Sequence, residues 1–273
     1  YVDTYGTTSV PYIVDTQHLH SPIGITVDSA DNLYVAESRG NRLIKYDPSG
    51  QGVLTIGDPG QPWQHEDFLY RITDVAISAN GNIWISMPHS VKQFDPAGNL
   101  INFFPQDDPW LNGSDNGHFF DPTGLGFDNN GKLYVSDQGN HRIQVFNVVD
   151  NALVYDSTIG VSTEAGSDND HFNYPQRVAF DSENRMYVAD AQNNRVQRCV
   201  FTTDWTCSTF FGETGVTGDD LEHVGGWFNG ITIKNDSIFI MDSVNRRVLK
   251  CNTDAACTVF VGETGIGDSD NNH

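Results

Sequence analysis

Basic residues are scarce in this chain. Fifteen lysines and arginines stand against 36 aspartates and glutamates in 273 residues, a formal net charge of −21. Such a surface repels phosphate backbones, and no basic patch interrupts it, so nucleic-acid binding is excluded as a reading. Long apolar runs are missing as well. None approaches the ~20 residues that a membrane-spanning helix needs, and membrane insertion is not expected. Neither an initiator Met nor a signal peptide opens the sequence, which reads as processed or excised from something longer. No segment has a convincing helical period. Cysteine is limited to Cys199, Cys207, Cys251 and Cys257. None has Cys-x-x-Cys spacing or a neighbouring His that would complete a zinc set. Hydrophobic residues make up 38% and aromatics 11%, which suits a folded, β-rich protein rather than a disordered one.

What the chain does contain is an internal period. The segments NLYVAE, NIWISM, KLYVSD, RMYVAD and SIFIMD share one pattern, with central aromatics Tyr34, Trp84, Tyr134, Tyr187 and Phe239 spaced 50, 50, 53 and 52 residues apart. Each is preceded by a short apolar strand and a turn such as DSADN, SANGN or DNNGK, as a hairpin requires. A third strand follows an Asn/Arg turn, and a fourth follows that. Four-stranded units of ~40–50 residues repeated around an axis make a β-propeller. The units fall at about 21–57, 70–105, 120–160, 172–212 and 228–262, within one domain spanning 1–273.

At HFFDPTGLGFDNNGKLYVSDQGNHRIQVF (118–146) and SDNDHFNYPQRVAFDSENRMYVADAQNNRVQ (167–197) the sequence resembles the NHL-repeat family. The resemblance runs through five units, nearly the whole chain. Unit two departs most, with MPHSVKQF where the Asn/Arg turn should stand. Family propellers usually have six blades closed by strands from both termini. Residues 1–15 read like the last two strands of a further blade, so a six-bladed closure is expected, with a five-bladed closure as the alternative.

The polar residues that recur have a structural reading. Glu37 precedes Arg42 by five residues, as Asp137 precedes Arg142, Asp190 precedes Arg195 and Asp242 precedes Arg247. The turn should bring each acid onto its Arg as a structural ion pair. Unit two has lost both partners at once, with Met87 at the acid position, as expected because a lone partly buried charge is costly. His141 is then one polar variant at a turn position held elsewhere by Asn41, Asn194 and Arg246, not a catalytic base. His18, His118 and His171 each precede a first strand by six residues. They are the weak candidates for metal ligation, against a role in capping acidic loops. Those loops are rich in Asp, Asn and Gly, a composition that allows weak surface calcium binding and that Asx-turns explain without metal. No other cofactor is implied.

Cys199 and Cys251 take a strand-three position that is aromatic elsewhere, and Cys207 and Cys257 follow on the next strand, so disulfides within single blades and an oxidising compartment are expected. Sequons at Asn112 and Asn235 are candidate glycosylation sites. No Gly-x-Ser-x-Gly, His-Glu-x-x-His or paired nucleophile and base stands out. The expected function is an extracellular or cell-surface, non-catalytic propeller that presents its inter-blade loops to a protein or glycan. One alternative is a self-assembling subunit of a filament or surface layer. Another, implied by enzymes related to the NHL family, is a metal-dependent lyase or lactonase-like enzyme with a channel site.

Overall fold

A computed structural model describes residues 15–57, 69–108, 110–228 and 230–262. Twenty strands form five four-stranded antiparallel sheets, each with its strands in chain order. Blade one comprises β1 (Pro22–Val27), β2 (Leu33–Glu37), β3 (Arg42–Tyr46) and β4 (Gly52–Ile56). Blade two comprises β5 (Asp74–Ile77), β6 (Ile83–Met87), β7 (Ser90–Phe94) and β8 (Leu100–Phe104). Blade three has β9 (Pro122–Phe127), β10 (Leu133–Asp137), β11 (Arg142–Val149) and β12 (Ala152–Ile159). Blade four has β13 (Pro175–Phe180), β14 (Met186–Asp190), β15 (Arg195–Phe201) and β16 (Trp205–Phe211). Blade five has β17 (Gly230–Lys234), β18 (Ser237–Asp242), β19 (Arg247–Cys251) and β20 (Cys257–Gly262). Helix among the described residues is confined to two single 3-10 turns, Gln138–Asn140 and Ala191–Asn193.

The β-propeller class stands, but the six-bladed closure does not: the described residues form five blades. Each blade completes its four strands from consecutive sequence, so none borrows a strand from a distant part of the chain. The strands expected within 1–15 lie outside the described residues, apart from Asp15.

The hairpins follow from turn chemistry. At the first turn of blade one, Asp31 N–H donates to the Asp28 carbonyl and Asp28 N–H to the Asn32 carbonyl. Asp31 closes the turn at φ 60°, where Gly81, Gly131 and Asn184 stand in blades two to four. Only residues that tolerate the left-handed region fit there. The second strands of blades two, three and four are buried on both faces, as the unbroken burial of β6, β10 and β14 shows. That is why their apolar residues run almost continuously instead of alternating.

The chain separates into two compact units, one of residues 1–125 with 148–153 and one of 126–147 with 154–273. In the first, Tyr34, Leu43 and Ile56 pack with Leu69, Ile72 and Ile85. In the second, one core joins Tyr134, Ile143 and Phe172 to Met186 and Val188, and another joins Tyr187 and Phe211 to Phe228 and Leu249.

Candidate functional site

The acid and Arg of each repeat occupy paired positions across the middle hairpin: Glu37 opposite Arg42, Asp137 opposite Arg142, Asp190 opposite Arg195 and Asp242 opposite Arg247. Nε of the Arg donates to the carboxylate at 2.5, 2.8, 2.8 and 2.9 Å respectively. All eight side chains are buried. The turn needs a left-handed residue just before the Arg, and Asn41, His141, Asn194 and Arg246 supply it at φ 51–57°. His141 thereby receives its place. Its Nδ1 accepts the Tyr174 N–H at 3.2 Å, and burial lowers its pKa, which keeps that nitrogen free to accept.

The carboxylate does more than hold an Arg. In blades one, four and five it accepts a backbone N–H from the segment seventeen residues upstream: His20 to Glu37, Asn173 to Asp190 and Gly225 to Asp242, at 2.9, 2.7 and 2.9 Å. In blade two the Tyr70 N–H meets the Met87 sulfur at 3.3 Å instead. The Arg then reaches the loop that enters its blade. Arg42 donates to the His18 carbonyl, Arg195 to those of Asp168 and His171, and Arg247 to those of Asp219, Asp220 and His223. Burial pushes the Asp190 carboxyl up, against the opposing hydrogen bonds from Asn173, Asn193 and Arg195. Because desolvation opposes the ionised carboxylate, the pair orders the loop more than it adds net stability.

Two compensations within this network are not foreseen from the sequence, though both leave a trace at fixed spacing. Asp137, Asp190 and Asp242 each also bind the amide of an Asn three residues on, Asn140, Asn193 and Asn245. Blade one has the longer Glu37, and Gly40 stands in place of the Asn, because a Cβ there would collide with the Glu37 carboxylate. The second compensation involves the aromatic of the second strand. Tyr34, Tyr134 and Tyr187 donate their hydroxyls to Asp28, Asp128 and Asp181 six residues upstream, at 3.1, 3.4 and 3.1 Å, and the Trp84 indole donates to Ser78 at 3.3 Å. Blade five has Phe239 with no hydroxyl, and Ile233 stands at the acceptor position. Asp28 sits at a pKa of about 2; burial alone would raise it, and hydrogen bonds from Asn32, Ala30 and Tyr34 override that effect.

The entry loops share an Asp-x-x-His geometry. His18, His118, His171 and His223 contact Asp15, Asp115, Asp168 and Asp220 through Nδ1, at 2.7, 2.9, 2.6 and 2.9 Å. His118 and His223 are raised above 6.5, chiefly by these carboxylates. Each of the three candidate metal ligands therefore sits on the Asp of its own loop. Among the described residues no three His, Cys, Asp or Glu side chains converge as a metal site. The Asp-, Asn- and Gly-rich loops close as Asx-turns, such as Gly117 N–H to Asp115 and Asp170 N–H to Asp168.

Cys199 is bonded to Cys207 and Cys251 to Cys257, each between directly paired residues of one hairpin. The first cystine is not at an exposed edge: Cys199 packs with Tyr134, Met186 and Trp205. Two disulfides fit a non-cytosolic location. No helix among the described residues is long and apolar enough to cross a membrane. Asn112 and Asn235 are both exposed, the latter in the β17–β18 turn.

The NHL repeat family profile matches residues 119–146 and 172–199, the first three strands of blades three and four. Two of the five blades carry the NHL repeat. It is 26% identical over 228 residues to NHL repeat-containing protein 3 of Homo sapiens, covering 78% of this chain and 56% of that protein. The chain thus spans about half the length of this relative. Among solved structures it superposes on virginiamycin B lyase from Staphylococcus aureus with a TM-score of 0.58 at 18% identity, covering 88% of this chain and 69% of that one. An auxiliary nutrient binding protein from Bacteroides thetaiotaomicron gives 0.66 at 12% identity, over 92% and 60%. At such identities these structures share the fold with this chain and nothing finer.

Proposed function

We propose that this chain is an extracellular, non-catalytic binding propeller whose acidic entry loops dock a protein partner. One observation supports the reading above others: the polar residues that recur are engaged with one another. Arg42, Arg195 and Arg247 are each taken up by their acid and by loop carbonyls, and each loop His by its Asp. The chemistry is thereby committed to holding loops in a fixed conformation, and preordered loops bind at lower entropic cost. The carboxylates of Asp115, Asp168 and Asp220 remain exposed, which favours a basic face on the partner.

An array of secreted proteins probed with the purified chain tests this. Salt-sensitive binding to a basic partner, weakened by D115N and D220N, is expected. A parallel assay offers lactones and virginiamycin B, with and without added divalent cations. Turnover of either would replace the binding reading with an enzymatic one.

A further inference from the structure

Blade two departs from blades one, four and five at one more place. Opposite the aromatic of the second strand, the third strand carries a cation in blades one, four and five: Lys45 faces Tyr34, Arg198 faces Tyr187 and Lys250 faces Phe239. Lys45 and Lys250 lie over those rings, 5.0 and 5.8 Å from the centroids. Opposite Trp84 stands Gln93. Beside this pair lies a cavity of about 300 Å³, formed by β7, β8 and the β11–β12 hairpin tip. That volume is at the small end of the ~300–1,000 Å³ range of small-molecule sites.

Its lining contains no charged residue. Trp84, Phe103 and Phe104 supply aromatic surface, and Gln93, Asn102, Gln106 and Asn151 supply amides. Most of the amide N–H groups are used internally. Gln93 Nε2 donates to Asn151 Oδ1 at 3.3 Å and Asn102 Nδ2 to the Asn151 carbonyl at 2.8 Å. Gln106 Nε2 donates to the Phe103 carbonyl at 2.7 Å and to Asn102 Oδ1. Gln93 is only 1% exposed, and its Oε1 is buried without a hydrogen-bond partner among the described residues. A buried carbonyl oxygen left bare costs free energy that a ligand donor recovers. The missing group is a donor, and it must be neutral, because no carboxylate lies in the lining to balance a cation.

We propose that this cavity of blade two binds a neutral sugar, whose hydroxyls donate to Gln93 Oε1 and whose apolar ring face lies on the aromatic wall. The site is separate from the entry loops, so it stands or falls independently of the protein-docking reading.

Saturation-transfer difference NMR tests it, with D-glucose, D-galactose, D-mannose and N-acetyl-D-glucosamine as probes and glucuronate and putrescine as charged comparisons. At least one neutral sugar should bind and shift the Trp84 indole N–H resonance. Gln93→Leu, which keeps the volume but deletes the acceptor, should weaken that binding tenfold or more. Ala152→Trp fills the cavity from an exposed hairpin tip and should abolish it. Loop-partner binding should be unchanged in both variants. Absence of binding by all four sugars overturns the proposal. So does binding that survives Ala152→Trp, or equal binding of putrescine or glucuronate.

Discussion

At the residue scale, the unit of construction is a buried carboxylate that serves an Arg, an incoming N–H and, in three blades, an Asn. Asp190→Ala removes one charge and strands Arg195, and it should cost about 3–5 kcal/mol in urea unfolding. Asp190→Met with Arg195→Leu, imitating the apolar solution of blade two at Met87, should recover most of that loss. If the double variant is as unstable as the single, the two residues do not act as a pair. The loop His–Asp contacts make a second prediction. His118 and His223 lie above 6.5, so their contribution is complete below that pH and is lost as pH rises through their folded values. Asp168 and Asp220 lie below 3.8, so theirs is complete above that pH and is lost as pH falls through their folded values. The entry loops should therefore be held best between about pH 4 and 6.5. A histidine NMR titration should place His118 and His223 above the ordinary value, and D115N should return His118 towards it.

At the element scale, strand order and hairpin register follow from short-range patterns. The turn residues, the aromatic at each second strand and the acid–Arg spacing all lie within one repeat, so five repeats are legible in the sequence itself. The cystine positions are legible too, because Cys199 and Cys207 are separated by a hairpin. The burial of Cys199 is not, since packing against Tyr134 depends on the neighbouring blade. Each disulfide closes a short loop, and the Cys251→Ser, Cys257→Ser double variant should lose about 2–3 kcal/mol. Hydrogen exchange should locate the loss in β19 and β20 and leave blade one protected. Uniform loss across all blades would mean that the cystine supports more than its own hairpin.

At the scale of the whole molecule, charge is the property that composition settles. With 36 acids against 15 bases, self-repulsion opposes the compact state. Raising NaCl from about 20 to 200 mM shortens the Debye length to below ~10 Å, and calorimetry should show an increase of about 2–4 °C in Tm, on the order of 1 kcal/mol for a chain of this size. A flat or falling Tm would show that attractive pairs outweigh the repulsion. The sequence by itself determined the blade class, the repeat length, the ion-pair partners and the acidic character, because each is written in spacings of a few residues or in a sum over all of them. The cavity of blade two was decided by tertiary structure. It depends on groups brought together from far apart in sequence: Gln93 meets Asn151 across 58 residues, and no local period records that meeting.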